Sequence, residues 1–251
     1  MSIRSGTRFW ELDMLRGVAV VMMVLYHMLF DLSYLGGYNI NVYSGLWLHF
    51  AKATASIFIV LAGISLTISR SRAIERGQDP FPGILRRGLW IFFLGMVITL
   101  VTYILLREEF IIFGVLHFLG VSIILAYPFL RLRFVNLVAG IGIISAGLYL
   151  QSLSISSPWL LWLGLSPKDF YTLDYFPLFP WFGLVLLGAF LGNELYGGQR
   201  RGGLPDLSAC LPVRLLDLLG RNSLAIYLIH QPVLIIILRM SRAISFPGVS
   251  L

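Results

Sequence analysis

The sequence predicts an all-α fold: a polytopic transmembrane helix bundle of about seven spans, eight if the 211–219 segment is re-entrant, with the N-terminus in the cytoplasm. Three observations predict it. Hydrophobic residues make up 58% of the 251 and charged residues 12%, with a mean hydropathy of +0.85. A soluble domain carries about 25% charged residues, so this chain could not cover itself with polar surface. The apolar residues arrive in runs close to the roughly 20 residues that cross a bilayer. The basic residues gather on alternate connections between those runs.

The expected spans are Leu12–Tyr34, Leu48–Ser69, Leu89–Leu106, Phe110–Leu130, Phe134–Gln151, Phe176–Tyr196 and Asn222–Leu238. The first is too long and too polar at its ends for a cleaved signal peptide. No soluble domain of useful size is left between the runs, so residues 1–251 read as one transmembrane domain. The Arg70–Arg87 link, with its Gly-Gln-Asp-Pro centre, reads as a loop. In the Ser152–Tyr175 link, Trp159, Trp162, Phe170, Tyr171 and Tyr175 fit an interfacial aromatic belt or a cap over a cavity. Pro177 and Pro180 open the sixth span, where a missing amide donor costs least. Leu211–Leu219 is amphipathic and suits the membrane interface.

Orientation follows from charge. With the N-terminus inside, fourteen basic residues face the cytoplasm: Arg4, Arg8, Arg16, Arg70, Arg72, Arg76, Arg86, Arg87, Arg131, Arg133, Arg200, Arg201, Arg214 and Arg221. Four (Arg107, Lys168, Arg239 and Arg242) face out, and Lys52 lies within a span. This is a positive-inside pattern. The net charge of +7 therefore reflects topology and anionic lipid, not nucleic acid. The expected location is the cytoplasmic membrane of the cell. The single cysteine, Cys210, excludes an intrachain disulfide framework.

Ionisable groups inside the membrane cost several kcal/mol unless they face a cavity or a partner. Asp13, Arg16, Gly17, Val20, Val24, His27 and Asp31 advance by three or four residues and line one face of the first span. His27 lies about 20 Å along the helix from Asp13, and Asp31 is one turn further. A carboxylate at that spacing could orient and activate His27 as a general base, or the pair could merely satisfy itself at a helix contact. His117, flanked by Gly114 and Gly120, is expected near the depth of His27. His49 and Lys52 begin the second span and Asp174 precedes the sixth, so these groups could converge in the outer third of the bilayer. His49 could equally be solvated, and Lys52 could snorkel or pair with Asp31. Asn222, Ser223, Tyr227, His230 and Gln231 give the last span a polar face, which could line a channel or hold the bundle together. The histidines lack the paired carboxylate–imidazole spacing of a dimetal bundle, so no metal site is expected.

Local motifs go further. Leu-Asp-Met-Leu-Arg-Gly-Val-Ala (12–19), leading to Tyr-His (26–27), resembles the first-helix signature of transmembrane acyltransferases. Within that superfamily five blocks resemble the bacterial and archaeal branch of the heparan-alpha-glucosaminide N-acetyltransferase catalytic domain. They are His27–Asp31, Ile57–Ser65 (IFIVLAGIS), Phe113–Gly120 (FGVLHFLG), Asp174–Trp181 (DYFPLFPW) and Leu219–Pro232 (LGRNSLAIYLIHQP). The resemblance implies transfer of an acetyl group from cytoplasmic acetyl-CoA to an amine or hydroxyl of a sugar or glycolipid on the far side. It implies Arg16, Arg86, Arg87 and Arg221 at the CoA phosphates, and a pantetheine path beside Asn222, Tyr227 and His230. His27 or His117 would take the acceptor's proton, with Asp31 behind His27; the other histidine or Lys52 would meet the oxyanion. His49, Lys52, Asp174 and Trp181 would contact the acceptor. Direct transfer and an acyl-histidine route both fit. Animal members carry Asn where His27 stands, with a histidine in the following loop; His49 occupies that loop here at a different spacing. The base role is thus open among His27, His49 and His117, with His27 preferred.

Without acyl chemistry, the same polar interior would suit a transporter or flippase for a saccharide or lipid-linked solute, although no internal repeat is evident. An assembly subunit whose intramembrane His and Asp contact a partner helix is a third reading. Small-residue faces at Gly140–Ile141–Gly142 and Ala146–Gly147 would permit a homodimer.

Overall fold

The computed structural model describes residues 9–107, 109–153, 158–167, 170–197, 207 and 209–244. Eight α-helices occur among them: α1 (Trp10–Tyr34), α2 (Gly45–Glu75), α3 (Pro80–Leu106), α4 (Val115–Leu125), α5 (Arg133–Leu150), α6 (Leu178–Tyr196), α7 (Leu211–Arg221) and α8 (Ser223–Met240). Short 3-10 turns cover Tyr127–Arg131 and Pro158–Leu163. The described residues contain no β-strand, only one isolated parallel bridge between Phe113 and Tyr175. Six helices (α1, α2, α3, α5, α6 and α8) are long and apolar enough to cross a membrane. Their apolar side chains are widely exposed: on α3, Leu89, Trp90, Phe93, Leu100, Ile104 and Leu105 all face outward. Such a surface is compatible with lipid and not with water. The all-α, polytopic class stands.

Three elements depart from the hydropathy pattern. The fourth expected span is α-helical over only 11 residues, about 16 Å, before it tightens into the 3-10 turn that contains Pro128. Residues 110–114 are instead tied to the chain before α6: the Phe176 amide donates to the Phe113 carbonyl (2.9 Å) and Thr172 Oγ1 donates to the Phe110 carbonyl (2.9 Å). The expected Arg70–Arg87 loop is mostly helix, since α2 continues to Glu75 and α3 starts at Pro80. Asp79 caps α3 by accepting from the Phe81 amide (3.0 Å), Pro80 supplies the preset φ of a first helical position, and Gly77 takes the positive φ of the turn. Charged residues at helix ends hide such extensions from a hydropathy reading. Of the residues assigned to a side by charge, Arg4, Arg8, Lys168, Arg200 and Arg201 lie outside the described residues.

The described residues form two compact units, one holding 59–197 and the other 9–58 with 207–244. In the first unit, glycines let helix backbones meet. A Cβ on Gly63 of α2 would collide with the Val185 carbonyl of α6, and one on Gly188 with the Val60 carbonyl. Gly140 of α5 and Gly183 of α6 face each other in the same way, while Gly147 lies against Pro180. Gly140 and Gly147 are therefore spent on contacts within the chain, and they no longer argue for a homodimer; Gly142 meets nothing within 4 Å. Arg133 and Glu194 join α5 to α6 through paired bonds of 2.7 and 2.5 Å. Trp159, Trp162 and Tyr171 are exposed, as an interfacial belt requires, whereas Tyr175 turns inward and donates to the Leu161 carbonyl (2.6 Å).

In the second unit α7 crosses α1 at Gly17 and Gly220. A Cβ on Gly17 would strike the Leu216 carbonyl, and one on Gly220 the Asp13 carbonyl. This contact sets the amphipathic α7 against the Asp13 end of α1, with Leu211, Leu215 and Leu218 left exposed. The α8 helix also packs on α1.

Candidate active site

The residues singled out in the sequence sort into two clusters, one in each unit. In the second unit, α1 presents His27 and α8 presents His230, their ring centroids 4.7 Å apart and their planes near perpendicular (78°). Each imidazole is fixed by its own helix. His27 Nδ1 bonds to the Met23 carbonyl (2.9 Å) and His230 Nδ1 to the Tyr227 carbonyl (2.7 Å). A carbonyl only accepts, so both rings carry the proton on Nδ1 and present a bare Nε2. His230 is 8% exposed, and its Nε2 is buried with no hydrogen-bond partner among the described residues. Nε2 of His27 has none either. Two imidazole lone pairs held in this way can accept protons from a ligand.

Asp31, 1% exposed, belongs to the same face of α1, but it forms no hydrogen bond or ion pair with His27. The expected His27–Asp31 pair is replaced by two other bonds: His27 turns back to the carbonyl one turn earlier, and Asp31 Oδ1 accepts from Gln231 Nε2 of α8 (2.6 Å). Of the two roles open to Lys52, pairing with Asp31 is absent, since Lys52 is exposed and Asp31 is buried against Gln231. His49 is exposed, its Nδ1 on the Gly45 carbonyl (2.6 Å).

At the other end of α1, Arg16 is paired with Asp13, and Arg221 bridges Asp217 (2.5 Å) and Asp13 (3.9 Å). Two of the four arginines expected at CoA phosphates, Arg16 and Arg221, thus already hold carboxylates. A groove of about 430 Å³ runs along α7 between Leu211, Arg214, Leu215, Asp217, Leu218 and Arg221. Arg214 in that groove forms no ion pair among the described residues. Asn222 is exposed and its amide donates to the Leu218 carbonyl (2.9 Å); Tyr227 is half-buried against His230.

The first unit holds His117, 2% exposed, between Phe113 and Phe92. Both its nitrogens are engaged. The Gly114 amide donates to Nδ1 (3.3 Å), so the proton sits on Nε2 and goes to Thr99 Oγ1 (3.4 Å), whose own hydrogen goes to the Ile111 carbonyl (2.6 Å). Gly95 of α3 presses on the ring, a Cβ there lying 3.1 Å from it. Asp174 caps α4 by accepting from the Val115 amide (3.0 Å), a favourable place for a carboxylate at a helix N-terminus. Burial nevertheless pushes its carboxyl up to about 6, against the pull of that amide, and burial pushes the neighbouring Tyr175 phenol up to about 12. Trp181 packs on Phe176 (4.8 Å). Arg86 and Arg87 are exposed on α3.

Residues 8–232 match the family described as heparan-alpha-glucosaminide N-acetyltransferase, catalytic. The chain belongs to that family. It is a multi-pass membrane protein of an acetyltransferase family, and acetyl-CoA is in general the donor used by that family. Neither a curated protein nor a solved structure matches it. The match runs from the start of α1 to Pro232 of α8, so it includes His27, Asp31, His117, His230 and Gln231. Sequence reasoning placed Gln231 on a polar helix face without assigning it a role, and it gave Arg214 none. The signal for Gln231 was an uncharged amide beside His230 in an apolar span; for Arg214 it was an arginine inside a leucine-rich amphipathic helix.

Proposed function

We propose that this chain moves an acetyl group from cytoplasmic acetyl-CoA to an amine or hydroxyl of a sugar or glycolipid on the opposite side of the membrane, residues 1–251 acting as one transmembrane acyltransferase domain. The observation that carries the reading is the His27–His230 pair: two rings in contact, each with Nδ1–H spent on its own helix and each with Nε2 unpartnered among the described residues. A general base needs a fixed tautomer and a free lone pair within reach of the acceptor's proton. His27 meets both conditions, whereas His117 has neither nitrogen free.

In the proposed step the acceptor's nitrogen or oxygen attacks the thioester carbonyl while His27 Nε2 takes its proton. The tetrahedral intermediate collapses, the C–S bond breaks, and the thiolate recovers the proton from the imidazolium. His230, 4.7 Å away, offers a second proton site during transfer. The acetyl group passes either directly or through an Nε2-acetyl histidine. Arg214, which forms no ion pair among the described residues, supplies a cation for the CoA phosphates along the α7 groove, and the exposed leucines of α7 suit the membrane interface. The excess of basic residues on alternate connections supports a cytoplasmic N-terminus and a cytoplasmic-membrane location.

Purified protein in nanodiscs, given labelled acetyl-CoA and glucosamine, should label the sugar. It should also melt at higher temperature with acetyl-CoA than with free CoA. His27→Ala should lower transfer by about 10²-fold or more while acetyl-CoA still raises the melting temperature. Exchange of label between acetyl-CoA and CoA without acceptor would select the acetyl-histidine route. Unchanged transfer by His27→Ala would refute the assignment of the base.

A further inference from the structure

Around Asp31 the second unit holds a set of buried polar atoms whose bookkeeping does not close. Asp31 Oδ1 is taken by Gln231 Nε2 at 2.6 Å, but Asp31 Oδ2 and Gln231 Oε1 are both buried with no partner among the described residues, as is His230 Nε2. All three are acceptors. Asp31 as a carboxylate can only accept; Gln231 has turned its NH₂ to Asp31 and presents its carbonyl; His230 has spent its only N–H on the Tyr227 carbonyl. Gln231 neighbours His230 on α8, and His230 touches His27. Buried acceptors left without donors are costly, and a native site tolerates them where a ligand supplies the donors.

His27 needs nothing from Asp31, because the Met23 carbonyl already orients its ring. The carboxylate is therefore free for a different task. We infer that Asp31 and Gln231 form a specificity subsite that binds hydroxyl groups of the acceptor next to the reacting group, Asp31 Oδ2 and Gln231 Oε1 each accepting an O–H. The inference rests on the acyl-transfer reading for the direction of the chemistry, and it names the part of the acceptor that this site grips. Gln231 carries two duties in it: its NH₂ fixes the Asp31 carboxylate, and its carbonyl meets the ligand. A polyhydroxylated ring satisfies such a site; a hydrocarbon ring of the same size leaves both acceptors buried and bare. Sites built to bond a substrate hydroxyl reject analogues that lack it by large factors.

The test uses glucosamine and cyclohexylamine, two six-membered-ring amines that differ in their hydroxyls. Binding to the purified full chain in nanodiscs is read from melting temperature and titration. Glucosamine should bind the wild type at least tenfold more tightly than cyclohexylamine. Asp31→Asn, which is isosteric, and Gln231→Leu should each bring the two amines within about threefold of each other. The unliganded melting temperature and the elution profile report whether each variant folds; if one does not, the other still decides. Equal binding of the two amines to the wild type overturns the inference, and so does undiminished discrimination in a folded variant, the result expected if water alone satisfies these acceptors. Failure of the two readings is separable. Glucosamine that binds in this way without being acetylated leaves the subsite standing and removes the acyl transfer; acetylation with full discrimination in the variants does the reverse.

Discussion

His117 and His230 are both buried histidines on apolar helices, and the comparison between them is instructive. His117 is enclosed by two phenylalanines and has a partner at each nitrogen, so its polar capacity is consumed by the fold. His230 has one nitrogen bonded and the other buried without a partner among the described residues, and next to it in the chain is Gln231, bonded to Asp31, each with an oxygen likewise unpartnered among them. Burial alone does not separate a structural histidine from a working one. The unfilled hydrogen bond does, because a fold under no functional constraint tends to fill it.

The sharpest way to break the comparison is to substitute each ring in turn. His230→Phe keeps an aromatic ring near His27 and removes Nε2. If His230 shares in proton transfer, acetylation should fall by about 10²-fold or more, with the melting temperature close to the wild type. His117→Phe should behave oppositely. It orphans the Gly114 amide and removes a donor from Thr99 Oγ1, which keeps its bond to the Ile111 carbonyl; it should cost about 1–3 kcal/mol of stability, read as a lower melting temperature, while transfer per folded molecule stays within a few-fold. A His117→Phe variant that folds normally yet transfers no acetyl would reverse the two roles.

Asp174 allows a gentler probe of the first unit. Its carboxyl is held up to about 6 in the folded protein against 3.8 ordinarily, so the folded state binds that proton more tightly. The resulting stabilisation is full below about pH 4 and is lost as pH rises through 6, by at most about 3 kcal/mol. Asp174→Asn keeps an oxygen for the Val115 amide and removes the titration. The variant should therefore gain on the wild type in melting temperature between pH 4 and 7; a constant difference over that range would contradict this. The smallest effect is expected at Gly142 in α5, where an added Cβ meets no atom within 4 Å, so Gly142→Ala should stabilise by about 0.5–1 kcal/mol through helix propensity alone.

Hydropathy resolved most of the helices because membrane spans announce themselves by length. It missed the helical ends at 70–75 and 80–88, where charged residues continue a helix beyond its apolar part, and it overextended α4, whose neighbours at 110–114 are bonded to residues 172–176, distant in sequence. Helical periodicity placed His27 and Asp31 on one face and His230 on another polar face, which is where they lie. What periodicity could not give was the partner of each. Spacing of four suggested a His27–Asp31 bond, but a side chain one turn from a carboxylate is also one turn from a backbone carbonyl, and His27 takes the carbonyl. Gln231 was legible as polar but not as a ligand group, because its role comes from meeting Asp31 across two hundred residues of chain.

The central claim is a difference in tautomer, and histidine-selective ¹⁵N labelling reads it directly, since the chain has only four histidines. Long-range ¹H–¹⁵N correlations on detergent-solubilised protein, assigned by single His→Gln variants, should place the proton on Nδ1 in His27 and His230 and on Nε2 in His117. Finding the proton on Nε2 in His27, or the same tautomer in all three, would contradict the account.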